Sequence, residues 1–244
     1  MSAREAFASQ AGSVSLGGEV CVHRLGFGAM RLTGEGIWGP PKDLTEATKV
    51  LKRAAELGVN FIDTADSYGP NVNEELIAEA LFPYPKDLVI ATKGGWNRPG
   101  PGQWTHDATP AHLRKAVEGS LKRLRLERIE VYQLHTPDPV VPFEDSVGTL
   151  AQLKNEGKIR FVALSNVTQD TLSEHVRLFL SFPFKTGTAL LIASGTTLWI
   201  IVSAMESPSS HGSHWEPAEL RDRSSIKSRG LIKSPHTKWQ LPGC

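Results

Sequence analysis

Between Val22 and Phe179, short apolar runs alternate with amphipathic stretches, and few folds accommodate that alternation. Leu25–Met30, Val59–Asp63, Leu88–Thr92, Ile129–Leu134 and Ile159–Leu164 are predominantly apolar, as strands buried on both faces are. Between them, apolar residues recur at helical spacing. Ala47, Val50, Leu51, Ala54 and Ala55 share one face of a helix predicted over Leu44–Leu57. Asp43 is placed to cap its start, Glu46 follows three residues later, and Gly58 marks its end. A shorter helix is predicted over Asn73–Leu81. A third has Thr109 at the N-cap and Pro110 at its first position, with Leu113, Val117, Leu121 and Leu124 on one face. A fourth carries Val147, Leu150 and Leu153 and stops at Gly157, and a fifth begins near Thr168 with Leu172 and Val176 turned inward. Strands alternating with helices across short loops make a parallel sheet with right-handed crossovers.

Two architectures obey that rule, a doubly wound sheet and a closed barrel. The polar residues decide between them. Asp63, Lys93, His135 and Ser165-Asn166 each fall at or just beyond the C-terminal end of an apolar run. In a (β/α)8 barrel these ends converge on one mouth, where active sites form. No Gly-x-Gly-x-x-Gly follows any of the runs, which counts against a dinucleotide-binding doubly wound sheet. The expected fold class is α/β, of (β/α)8 TIM-barrel type, with about five βα units recognisable. Three further units of about 30 residues each do not fit after Leu180, so the barrel is expected to be incomplete. A truncated or frameshifted reading of a longer gene would produce such a change. The expected organisation is an N-terminal extension (1–21), a partial barrel (22–179) and an atypical tail (180–244). Ser207–Ser213 and Arg221–Arg229 lack an apolar face and read as loop or disordered chain.

Asp63, Tyr68, Lys93 and His135 make a plausible chemical set. Carbonyl reduction needs a hydride and a proton for the developing alkoxide. A tyrosine can deliver that proton, although its free pKa is about 10. A lysine ammonium about 4 Å away would favour the phenolate by up to about 4 kcal/mol at an effective dielectric near 20, pulling the phenol down. A carboxylate such as Asp63 can hold the lysine, and a histidine on the next strand end can orient the carbonyl oxygen.

The motifs around these residues carry a resemblance. Phe61-Ile62-Asp63-Thr64-Ala65-Asp66-Ser67-Tyr68-Gly69 resembles the signature of the aldo-keto reductase family. Ile90-Ala91-Thr92-Lys93 and Tyr132-Gln133-Leu134-His135 resemble the family's lysine and histidine strands. Leu164-Ser165-Asn166 is similar to its nicotinamide-binding segment, and Leu25-Gly26-Phe27-Gly28-Ala29-Met30 to its first barrel strand. The resemblance implies reduction of aldehydes or ketones to alcohols with NADPH. Tyr68 would be the general acid, Lys93 would lower its pKa, Asp63 would hold Lys93 and His135 would position the carbonyl. Ala29, Met30, Arg31, Asp63, Ser165 and Asn166 would border the cofactor. The resemblance ends near Leu178, before the family's loop for the 2′-phosphate. Some relatives in the family are binding subunits rather than enzymes, so a truncated, catalytically inactive binding module, or a fragment without function, is the alternative reading.

The remaining features set limits on partners. A net charge of +1 and no dense basic run exclude a nucleic-acid footprint. Cys21 and Cys244 are too few for a disulfide framework, and no signal-like h-region opens the chain, so a cytoplasmic location is expected. His106, His112 and His175 lack metal-ligand spacing. Thr186–Met205 is uncharged and long enough to cross a bilayer, but Gly187 and Ser194–Thr197 dilute it. Two short buried strands around that break are the preferred reading. Unclosed barrel edges would invite self-association. Trp38, Trp96 and Trp104 are expected at the mouth, lining a substrate pocket or covering loop backbone. Lys122, Arg123, Arg125 and Arg128 read as a solvated helix end, and Asp66 and Glu74 as cap and surface carboxylates.

Overall fold

The computed structural model describes residues 7–167, 188–193 and 200–204. The predicted helix after Thr168 and the segments Ser207–Ser213 and Arg221–Arg229 lie outside them. The chain opens with an antiparallel hairpin, β1 (Ser13–Leu16) and β2 (Val20–His23). Next come β3 (Phe27–Gly28), α1 (Leu44–Glu56), β4 (Phe61–Asp63), α2 (Val72–Leu81) and β5 (Val89–Gly94). A small antiparallel pair, β6 (Trp96–Asn97) and β7 (Thr105–His106), precedes α3 (Pro110–Arg123), β8 (Ile129–Leu134), α4 (Phe143–Asn155) and β9 (Ile159–Ser165). β10 (Thr188–Ala193) and β11 (Ile200–Ala204) follow.

One seven-stranded sheet, in the order β11-β10-β9-β8-β5-β4-β3, organises the molecule. From β3 to β10 every pairing is parallel, and β11 adds antiparallel to β10. With α1 to α4 between successive parallel strands from β3 to β9, this is the βα-barrel type of architecture that the sequence predicts. The uncharged stretch Thr186–Met205 supplies two short strands, β10 and β11. Among the described residues, no helix is long and apolar enough to cross a membrane.

Alternation along the strands sorts side chains onto two faces. Phe61, Val89, Ala91, Val131, Phe161 and Ala163 pack together inside the sheet's curve. Their sequence neighbours Ile62, Ile90, Val162 and Leu164 pack outward against the helices. The inward set carries straight on, two residues at a time, to Asp63, Lys93, Gln133, His135 and Ser165. The chemistry at the strand ends is therefore a consequence of strand parity.

The hairpin β1–β2 was not apparent from the sequence, which suggested only a polar extension up to residue 21. Leu16 and Val22 are buried in the inward cluster, against Phe61, Val89 and Val131. The turn between the strands places Gly17 and Gly18 at φ 59° and 75°, a region glycine enters at no steric penalty. Asn60 fastens the hairpin, accepting from the His23 backbone N–H (2.8 Å) and donating to the Cys21 carbonyl (3.2 Å).

The first predicted strand, Leu25–Met30, is shorter than expected. Only Phe27 and Gly28 pair, with Ile62 and Asp63. Leu25 is 55% exposed, and Ala29–Leu32 turns into a 3-10 helix. The carbonyl of Ala29 accepts from Asn73 Nδ2 of α2 at 2.8 Å instead of continuing a ladder. The caps match the sequence closely. Asp43 Oδ1 accepts from the Glu46 backbone N–H at 2.9 Å, and Thr109 Oγ1 from that of His112. Asp43→Ala is expected to lower the unfolding free energy by about 1 kcal/mol in urea titrations.

Candidate active site

Lys93, at the end of β5, is the hub. Its side chain is buried among the strand ends, and Nζ donates to Asp63 Oδ2 at 2.6 Å, to the Thr64 carbonyl at 2.8 Å and to the Tyr68 hydroxyl at 3.3 Å. Asp63 closes β4, and its other oxygen accepts from Gln133 Nε2 on β8 at 2.7 Å. Tyr68 lies in the loop after β4, 6% exposed. His135, just beyond β8, packs edge-on to it with ring centroids 5.6 Å apart. The four side chains named from the sequence thus meet in one place. Gln133 was overlooked, although a glutamine in an apolar run with the same parity as His135 is a visible signal.

Electrostatics fix the protonation states. Burial pushes the Lys93 ammonium down, but Asp63 and then Tyr68 more than offset this, leaving it above its ordinary value and charged. Burial, then Lys93, holds His135 well below the usual imidazole value, so it is neutral. The Tyr68 phenol corrects the expectation drawn from the sequence. Burial raises its pKa, and the counteracting pull of Lys93 is the smaller effect, so the net shift is upward. A Coulomb argument made along the sequence counts the ammonium but not the lost water.

The remaining sequence-named residues ring this cluster. Ser165 ends β9. Asn166 follows in the left-handed region at φ 55°, and its Nδ2 donates to the His135 carbonyl at 2.9 Å and to Ser165 Oγ at 3.1 Å. Ala29 is buried and is tied through Asn73 to Thr64, whose hydroxyl donates to Asn73 Oδ1 at 2.7 Å. Met30 and Arg31 line a recess of about 720 Å³ together with Trp104.

The tryptophans do border this region. Trp96 and Trp104 lie edge-on to the His135 ring at 6.3 and 6.4 Å. Arg98 stacks 3.6 Å from the centre of Trp104. Its guanidinium donates to the carbonyls of Gly36 (2.9 Å), Ile37 (3.0 Å), Ser67 (2.8 Å) and Gln103 (2.9 Å), so one side chain joins three loops.

Two readings of charge need correction. Glu74 is not on the surface: it is fully buried and accepts from Thr92 Oγ1 at 2.5 Å and from Arg123 Nε at 2.6 Å. Arg123 therefore leaves the solvated cluster at the end of α3 to pair with Glu74 of α2, which in turn holds the outward-facing Thr92 of β5. Asp66 is also buried, and burial, then Glu74, raises its carboxyl to about 8. The Glu74 assignment failed because its partners, Thr92 and Arg123, lie on other βα units; the Asp66 assignment failed because burial is not visible in its local sequence.

Parallel strands of βα-barrel type thus bring an ion-paired lysine, a tyrosine and a neutral histidine together at their C-terminal ends. The profile of the Aldo/keto reductase family matches residues 24–179. The chain belongs to that family. It is 52% identical over 172 residues to an uncharacterized oxidoreductase of Schizosaccharomyces pombe, covering 70% of this chain and 56% of the relative. Pyridoxine 4-dehydrogenase of Escherichia coli is 42% identical over 163 residues, 64% of this chain and 57% of that protein. Among solved structures, the holo form of an aldo-keto reductase from Bacillus halodurans superposes with a TM-score of 0.60 at 32% identity, covering 68% of this chain and 54% of that one. The glycerol dehydrogenase of Gluconobacter oxydans gives 0.62 at 32% identity, with 69% and 52% covered. The chain spans about half the length of the curated relatives it matches.

Proposed function

We propose that this chain reduces aldehydes or ketones to alcohols, and runs the reverse reaction, with NADPH as hydride source. The observation that carries the reading is Lys93 Nζ, within hydrogen-bond reach of both Asp63 and Tyr68 and beside a neutral His135. The names of two relatives, pyridoxine 4-dehydrogenase and glycerol dehydrogenase, point to the same alcohol–carbonyl chemistry.

The donor set at the end of β9 fits a nicotinamide. A carboxamide needs one hydrogen-bond donor and one acceptor. Asn166 engages its Nδ2 within the protein, which leaves its Oδ1 to accept, and Ser165 Oγ receives that Nδ2 and retains its own hydrogen to donate. Ala29, Met30 and Arg31 lie across the mouth at the end of β3, and Asp63 stands between the two sides. When bound, the cofactor supplies the hydride.

The chain's own groups do the rest. Tyr68 holds its proton at neutral pH and delivers it to the oxygen as negative charge develops there. Lys93 places a fixed positive charge 3.3 Å from that hydroxyl and stabilises the phenolate left behind. Asp63, anchored by Gln133, keeps the ammonium in position. His135, uncharged, can donate to the carbonyl oxygen without competing as an acid.

Titrating the full chain with NADPH while following tryptophan fluorescence tests the reading, followed by adding an aromatic aldehyde and measuring NADPH consumption. Saturable quenching with aldehyde-dependent consumption is expected. Binding without consumption would establish the non-catalytic binding module instead.

A further inference from the structure

Ser67 takes no part in the reaction as described above, yet it touches the group that orients the carbonyl. Its side chain is almost wholly buried, and its Oγ lies 3.2 Å from Nδ1 of His135. Both residues are clamped by their backbones. The Ser67 carbonyl accepts from Arg98 Nη1 at 2.8 Å. The His135 carbonyl accepts from Asn166 Nδ2, and its N–H donates to the Gly94 carbonyl, both at 2.9 Å. The contact is therefore set by the fold and not by side-chain drift.

A neutral imidazole carries one N–H, and the hydrogen bond at one nitrogen determines which nitrogen holds it. Two arrangements are possible at this contact. If Nδ1–H donates to Ser67 Oγ, the serine's own hydrogen needs a second acceptor in a buried place, and His135 Nδ1 is the side chain's hydrogen-bond partner there. A buried donor left unpaired is disfavoured. If Ser67 donates to Nδ1, its hydrogen is used, and the imidazole proton moves to Nε2. The second arrangement satisfies both groups.

We propose that Ser67 is a positioning residue that sets the tautomer of His135, so that Nε2 presents a hydrogen to the substrate carbonyl oxygen. This rests on the role given to His135 above. An imidazole of the opposite tautomer would turn a lone pair towards the carbonyl oxygen, and repel it.

Nitrogen-15 NMR of the full chain labelled at histidine tests the assignment without needing turnover. The His135 resonances are identified by their loss in His135→Gln. A protonated Nε2 and an unprotonated Nδ1 are expected in the wild type. In Ser67→Ala, His135 should shift toward a mixture of tautomers, and kcat for carbonyl reduction should fall roughly fivefold to tenfold, the effect of one weakened hydrogen bond, with a smaller change in KM. Ser67→Thr, which keeps the hydroxyl, should restore both. A wild-type spectrum with the proton on Nδ1 overturns the proposal whether or not Ser67→Ala folds. So does a Ser67→Ala spectrum identical to wild type. Absence of aldehyde reduction in the wild type would instead remove the enzymatic reading and leave the tautomer result standing.

Discussion

Tyr68→Phe is expected to lower carbonyl turnover by roughly 10²–10⁴-fold, the usual contribution of a positioned general acid, and to leave the fold intact. The substitution removes one oxygen. Among the described residues that oxygen receives one hydrogen bond, from Lys93 Nζ at 3.3 Å, and Lys93 keeps Asp63 and the Thr64 carbonyl as partners. The ammonium stays paired, so unfolding free energy should change by no more than about 1 kcal/mol. NADPH binding should also survive, because Ser165, Asn166 and Ala29, the residues proposed to border the cofactor, lie on other elements. Turnover measured at saturating aldehyde, beside a urea denaturation curve, separates the two effects. Turnover close to wild type would take Tyr68 out of the mechanism. Lost turnover accompanied by lost stability would show that the hydroxyl matters to the fold more than to the reaction.

How much of this site was legible in the sequence follows from the range of the forces involved. Strand parity acts over two residues, and it was enough to bring Asp63, Lys93 and His135 to the same ends. Helix caps act over three residues, and Asp43 and Thr109 were readable for that reason. The Glu74–Arg123 pair joins residues 49 apart, across two helices, and nothing in the local pattern of α2 distinguishes an exposed carboxylate from a buried one. Ser67 meets His135 across 68 residues, and neither looks unusual in its own segment. The N-terminal hairpin lay between these cases. Val14, Leu16, Val20 and Val22 alternate with small or polar residues around Gly17-Gly18, a period-2 signal too short to outweigh the polar composition. Leu25–Met30 failed in the opposite direction. Its apolar residues suggested a full strand, but β4 offers only three residues to pair with, and α2 claims the Ala29 carbonyl.

Asp66→Asn should stabilise the protein at pH 8 and remove a pH dependence that the wild type shows. The Asp66 carboxyl is raised from 3.8 to about 8 in the folded chain, first by burial and then by Glu74. The unfolded chain releases that proton near pH 4, whereas the native chain holds it until about pH 8. Between those values the native state binds more protons, so stability falls as pH rises. At about 1.36 kcal/mol per pH unit the full interval would amount to roughly 5 kcal/mol. Asparagine mimics the protonated acid, so a gain of about 2–4 kcal/mol at pH 8, shrinking toward pH 4, is expected from urea titrations across that range. Glu74 sits in the same buried shell but predicts the opposite sign. Its carboxylate is satisfied by Arg123 and Thr92, and Glu74→Ala strands a guanidinium that is only 17% exposed. Breaking one side of such a pair costs about 3–5 kcal/mol. Two neighbouring carboxylates should therefore respond in opposite directions to loss of charge. Equal destabilisation by both substitutions at pH 8 would mean that Asp66 is ionised and paired in the native state, and would refute its assignment as a buried neutral acid.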